Sequence, residues 1–203
     1  MPQDDRAQPG SYILDTENTA EMARLTKQDR LVTTGMGGLA AAYDDLSGRH
    51  HLLDIACGPA GWALDLASTF PHINVVGIDI NRQMIAYAQA QAQARQLANA
   101  DFRVMDALQP LAFPEHSFDL VNARFLVGFM PRAAWLPLLR ECLRVLRPGG
   151  LIRLTEFDEP GTTNSEAFEQ WDAITFNATR KAGLTAAPGG RNFGITPLLG
   201  RLL

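Results

Sequence analysis

His51-Leu-Leu-Asp-Ile-Ala-Cys-Gly-Pro-Ala-Gly-Trp-Ala-Leu-Asp-Leu-Ala67 reads as a strand, a tight turn of small residues and a helix. Leu52, Leu53 and Ile55 form the short apolar run of a strand covered on both faces. Gly58 and Gly61 break that run, and glycine lets the chain take positive φ or a ligand approach the backbone. From Trp62 onward the spacing turns helical, with Trp62, Leu66 and Phe70 on one face and Ala63 and Ala67 beside them. Such a unit aims backbone N–H groups beyond the strand's end, where an anion or a polar ligand can sit.

The next strand, Ile73-Asn-Val-Val-Gly-Ile-Asp79, also ends in an acid. Asp79 lies 25 residues after Asp54, enough for a strand–helix–strand crossover. A carboxylate there can accept from both hydroxyls of a ribose. A dinucleotide fold wants G-x-G-x-x-G, and the turn here is Ala56-Cys-Gly-Pro-Ala-Gly61 instead.

Further along stand Phe102-Arg-Val-Met-Asp-Ala107, Phe118-Asp-Leu-Val-Asn-Ala-Arg124 and Leu146-Arg-Pro-Gly-Gly-Leu-Ile-Arg-Leu154. With the turn and Val-Val-Gly-Ile-Asp79, these motifs resemble class I S-adenosylmethionine-dependent methyltransferases. The likeness is to the small-molecule group that includes ubiquinone and menaquinone methyltransferases, and it runs from about Leu52 to Glu156. The departure is Ala60, where many relatives carry glycine and where a non-glycine backbone angle is expected.

The resemblance implies S-adenosylmethionine as cofactor and methyl transfer by in-line displacement, with the protein supplying binding and alignment. The backbone of Ala56, Gly58 and Gly61 would line the methionine portion. Asp54 would orient the turn and meet the amino group, or serve only as a strand-end cap. Asp79 would take the ribose hydroxyls and Ile80 would pack on adenine. Asp106 and Ala107 would take the adenine edge, unless Asp106 merely forms a turn. Asn122 would be a further cofactor contact. Arg124 and Phe125 would lie near the acceptor, with a structural ion pair the alternative for Arg124. Glu156 ends the fifth strand, facing either the crevice or solvent. The resemblance also places an N-terminal helical lid over the cofactor, making Tyr12, Gln28 and Arg30 candidates for substrate contact, beside the plainer reading of a solvated face. No general base stands out, so no catalytic residue is assigned, and the acceptor atom is left open.

A chain of 203 residues suits one domain with a sizeable core. The formal charge of −4 offers no basic footprint for nucleic acid. No apolar run reaches the ~20 residues of a membrane span. The polar N-terminus is unlike a signal peptide. Two cysteines, Cys57 and Cys142, fall in elements expected to be buried, pointing to reduced thiols in a cytoplasmic protein. No His/Cys spacing suggests a metal site.

The chain is expected to open with a tail and helical lid over 1–48, with residues 1–11 unstructured and helices over Thr16–Val32 and Leu39–Leu46. A methyltransferase domain follows over 49–203. Strands are expected near 51–56, 74–79, 101–105, 118–123 and 150–157, and helices near 61–70, 81–97, 133–146, 165–183 and from Pro197. The alternation implies a doubly wound, Rossmann-like α/β fold with a mainly parallel sheet and helices on both faces. Relatives usually add two strands after the fifth. Here the pattern stops at Leu203, so the chain reads as a C-terminally shortened form with Leu151–Phe157 as an open edge, inviting a homodimer. Two rivals remain: an NAD-binding dehydrogenase, and a non-catalytic cofactor-binding or interaction protein.

Overall fold

A computed structural model describes residues 19–41, 43, 45–158, 161, 163–186 and 193–202. The elements run α1 (Thr19–Gly35), β1 (His51–Ile55), α2 (Gly61–Thr69), β2 (Asn74–Asp79), α3 (Arg82–Ala94), β3 (Ala100–Val104), β4 (Phe118–Arg124), α4 (Trp135–Val145), β5 (Leu146–Thr155), α5 (Glu166–Lys181) and α6 (Thr196–Leu202). The expected unstructured tail over 1–11 lies outside the described residues. The chain divides into two compact units, one built from 19–124 with 140–154, the other from 125–139 with 155–202.

The first unit holds a five-stranded sheet in the order β3-β2-β1-β4-β5. β1 pairs in parallel with β2 and β4, and β2 with β3. The register fixes which side chains share a face. Leu52 lies opposite Val75 and Leu120, and Asp54 opposite Gly77 and Asn122. That face meets α2 and α3, where Trp62, Ala63, Leu66, Ile85 and Ala88 complete a closed apolar cluster with Phe102. Leu53, Ile55, Ile78, Val121 and Ala123 point the other way and are also fully buried. Burial on both faces is what continuous apolar strands require, and it makes the sheet the middle of a three-layer sandwich.

Local chemistry explains the breaks. Asn81 caps α3 by accepting from the N–H groups of Gln83 and Met84. Gly77 is glycine because Phe102 crosses it: a Cβ there would stand 2.5 Å from the ring. β5 begins earlier than expected, at Leu146. Its first residues turn at Arg147-Pro-Gly-Gly150, where Pro148 followed by Gly149 at φ 76° meets the demands of a type II turn.

Residues 42 and 44 of the helix expected over Leu39–Leu46 lie outside the described residues, and none of the described residues in that span is helical. Gly37 and Gly38 take φ of 94° and 110°, ending α1. Single-turn bonds follow, from Ala41 N–H to Gly38 O and from Tyr43 N–H to Ala40 O. Asp45 then accepts from both the N–H and the hydroxyl of Ser47. An acid bonding two residues ahead competes with helix, and here it wins over the alanine-rich pattern.

In the second unit, Ser165 caps α5 through Phe168 N–H. Phe157, Phe176 and Phe193 meet as a ring cluster, with centroids 5.4 and 5.1 Å from Phe193. No helix among the described residues is long and apolar enough to cross a membrane.

Candidate functional site

In a doubly wound sheet the ligand crevice lies at the carboxyl ends of the strands where the order reverses. Here that point is between β1 and β4. The chain leaves β1 through a turn in which Ala56, Gly58 and Ala60 all lie in the left-handed region, at φ 54°, 54° and 60°. The expectation of a non-glycine angle at Ala60 is overturned. An L-residue there costs about 1–2 kcal/mol, and Ala60 tolerates it because its methyl is enclosed in the core at 1% exposure. Ala60 N–H donates to Cys57 O, and Cys57 N–H donates to Ile78 O, tying the turn to β2. A Cβ built on Gly58 would meet no atom within 4 Å, so the turn borders open space.

Gly61 is different. Its φ is ordinary for a helix start, but a Cβ there would lie 2.5 Å from Asp29 Oδ2, a side chain of α1. The group whose close approach demands glycine at this position belongs to the protein itself.

Two acids stand at the strand ends, as the sequence placed them. Asp79 accepts from Gly58 N–H at 2.9 Å and Asn81 N–H at 2.8 Å, one on each oxygen. Each oxygen keeps an acceptor position. Burial raises its pKa, against those two bonds. Asp54 is 3% exposed. Burial pushes its pKa up to about 6, opposed by the Arg124 charge and by Asn122. Asn122, fully buried on β4, donates to Asp54 Oδ1 at 2.6 Å, while its own Oδ1 is buried without a partner. An orphaned buried carbonyl beside a buried carboxylate is rare in a native protein unless a donor comes from outside.

Ile80 is 57% exposed just past Asp79, a bare apolar surface at the rim. Asp106 Oδ1 accepts from Leu108 N–H, so the turn-forming role is present; Asp106 and Ala107 are both half-buried.

Beneath the turn lies a charge cluster that sequence reading found only in part. Arg124, at the end of β4, pairs with Asp29, donates to Thr33 Oγ1 at 3.1 Å and lies over Trp62. The ion-pair alternative for Arg124 is thus present. Arg153 of β5 is 7% exposed; it stacks over Trp62 and Tyr43 and donates to the Leu39 and Ala41 carbonyls. Burial pushes Tyr43 up to about 12. A lone arginine inside the apolar run Leu151-Ile-Arg-Leu was a readable signal for Arg153. Nothing marked Asp29 among the many polar residues of α1.

Two of the remaining candidates lie on α1. Gln28 accepts from Arg24 on the same helix, and Arg30 is exposed. Tyr12 lies outside the described residues. Phe125 and Glu156 belong to the second unit. There Phe125 takes φ 60°, and Glu156 accepts from Leu126 and Val127 N–H at 2.9 and 3.0 Å. Burial pushes Glu156 up to about 7. Among the described residues no group of acids, histidines and cysteines could hold a metal.

Residues 52–150 match the family described as "Methyltransferase domain". A demethylmenaquinone methyltransferase from Deinococcus radiodurans is 37% identical over 131 residues, which cover 64% of this chain and 53% of that protein. The chain spans about half the length of the curated relatives it matches. Among solved structures, a SAM-dependent methyltransferase from Aquifex aeolicus has the same fold, with a TM-score of 0.59, 16% identity, and coverage of 84% of this chain and 88% of that one. The [4+2]-cyclase SpnF is 30% identical, at a TM-score of 0.51, with 77% of this chain and 54% of that one covered.

Proposed function

We propose that this chain binds S-adenosylmethionine and transfers its methyl group to a small-molecule acceptor, a reading supported by the match of residues 52–150 to the family described as "Methyltransferase domain". The observation that carries the reading is the pair Asp54 and Asn122. An acceptor at Asn122 Oδ1 has no partner, beside a carboxylate whose second oxygen is free to accept. Both want a cationic donor, and the amino group of the cofactor's methionine end is one. Open space beyond Gly58 leaves room for that end.

The remaining assignments belong to the same reading. Ala56, Gly58 and Gly61 line the methionine portion with backbone. Asp79 holds the ribose hydroxyls at its remaining acceptor positions while its bonds to Gly58 and Asn81 fix its rotamer. Ile80 packs on the adenine, and Asp106 with Ala107 meets the adenine edge. The bound cofactor supplies an activated methyl on a cationic sulfur. The chain's part is to bind, orient and exclude water, and no side chain in the first unit is assigned a proton transfer. Gln28, Arg30, Tyr12, Phe125 and Glu156 remain candidates for acceptor contact. The names of the relatives make a demethylmenaquinone-type ring the first acceptor to test.

The absence of G-x-G-x-x-G disfavours NAD. We read the protein as cytoplasmic, since both cysteines are free, and its net charge of −4 speaks against a nucleic-acid partner. A second reading is a cofactor-binding protein that catalyses something other than transfer, favoured by the identity to a cyclase. Calorimetry with S-adenosylhomocysteine and with NADH, followed by transfer of labelled methyl to reduced demethylmenaquinone, tests these readings in turn. S-adenosylhomocysteine binding is expected and NADH binding is not. Binding without transfer to any acceptor favours the second reading, and binding of NADH alone overturns both.

A further inference from the structure

We propose that Asp29 and Arg124 are positioning residues that clamp α1 onto the cofactor turn, so that α1 is the closure over the methionine end of the cofactor. This rests on the cofactor site proposed above. Three observations converge on the clamp. The first is the ion pair itself: Asp29 Oδ1 meets Arg124 Nη2 with both side chains 12% exposed. A pair so far removed from water is screened less than a surface pair. The second is a further bond from the same guanidinium to α1, from Nη1 to Thr33 Oγ1 at 3.1 Å. Asp29 and Thr33 are one helical turn apart, so one arginine grips two successive rungs of the helix.

The third observation ties the clamp to the turn. The other oxygen of Asp29 fills the place where a side chain at residue 61 would begin. A Cβ there would lie 2.5 Å from Oδ2 and 3.3 Å from Cγ. Glycine at 61 therefore serves the helix that covers the turn, and its hydrogen is the floor on which Asp29 rests. The clamp also sits within the field of the cofactor pocket. Arg124 lowers and Asp29 raises the pKa of Asp54, so the three charges influence one another. A cation arriving at Asp54 competes for none of the bonds that hold α1.

Closure of this kind is a linkage: whatever binds better beneath the seated helix favours its seating, and the reverse holds equally. Breaking the clamp should free α1 without unfolding the sheet. The test uses hydrogen exchange and S-adenosylhomocysteine dissociation in four proteins: wild type, Asp29→Ala, Gly61→Ala and the double variant. In Asp29→Ala without ligand, exchange across α1 should quicken by about tenfold while β1 and β4 keep their rates. S-adenosylhomocysteine should leave faster by a similar factor. Gly61→Ala should do the same, because its methyl takes the place of the Asp29 carboxylate. In the double variant the Asp29 carboxylate is gone, so the added methyl should change either rate by less than about twofold.

Unchanged α1 exchange in Asp29→Ala, or effects of the two substitutions that simply multiply, would overturn the clamp. Wild-type protein that fails to bind S-adenosylhomocysteine would instead overturn the cofactor reading, and the closure with it. The exchange arm needs no ligand, so the two failures are distinguishable.

Discussion

At the scale of single residues, the candidate site is a matter of acceptors awaiting donors. Asp54 is held up to about 6 chiefly by burial. A cation binds better to the ionised form, so affinity for S-adenosylhomocysteine should rise from about pH 5 to pH 7 as Asp54 loses its proton. Calorimetry across that range should show the rise in wild type and a flat profile in Asp54→Asn. Asp79 should matter differently, because it holds the turn as well as being the residue proposed to take the ribose. Asp79→Ala should weaken binding by about 1.5–3 kcal/mol, the scale for hydrogen bonds to a charged group. Unchanged affinity would remove the ribose assignment. Ala56, half-buried at φ 54°, pays for its left-handed angle without the core contact that Ala60 enjoys. Ala56→Gly should raise stability to urea by about 0.5–1 kcal/mol, the relief of strain less the added freedom of the unfolded chain.

At the scale of elements, Glu156 links the end of β5 to the short helical turn 126–128. Burial lifts it from 4.5 up to about 7, and Asp158 adds to the lift. The folded unit thus disfavours the ionised form. Its contribution to stability is fully present below about pH 4.5 and is lost as the pH rises through about 7. Unfolding midpoints of wild type should fall relative to Glu156→Gln over that interval; parallel profiles would show the carboxyl to be ordinary. The order of β1, β2 and β4 and of the helices between them was legible, because those apolar runs are largely buried and Gly58, Gly61 and the Asn81 cap mark the breaks. Leu39–Leu46 misled, since its alanines suit a helix and the glycines before it and the Asp45–Ser47 turn do not. The seat of α1 was illegible for another reason. A contact between Asp29 and Gly61 leaves no periodic trace in either segment, and an arginine at 124 admits many partners.

At the scale of the whole molecule, the two ends of the described sheet are unlike. β3 presents Asp101 and Arg103, an exposed ion pair that blunts an edge. β5 presents Leu151, 40% exposed, and among the described residues no strand lies beyond it. Light scattering should find self-association that Leu151→Lys reduces; a monodisperse monomer at high concentration would show that the edge is protected. The cofactor motifs were legible because they lie in sequence order at strand ends. The charge cluster of Arg124, Arg153, Trp62 and Tyr43 was not, because four separate segments build it.

The strand order also sets a timetable. β1 takes its second neighbour from a strand that the ribosome delivers much later, since Asn122 follows its partner Asp54 by 68 residues. Until β4 emerges, the nascent chain can pair β1 with β2 and β2 with β3, but one flank of β1 stays bare and Asp54 has nothing to hold it. A translational pause before residue 118 would therefore leave a species that is partly assembled, sticky along one flank and unable to grip its ligand. The docking of β4 and the first moment of binding competence are the same event.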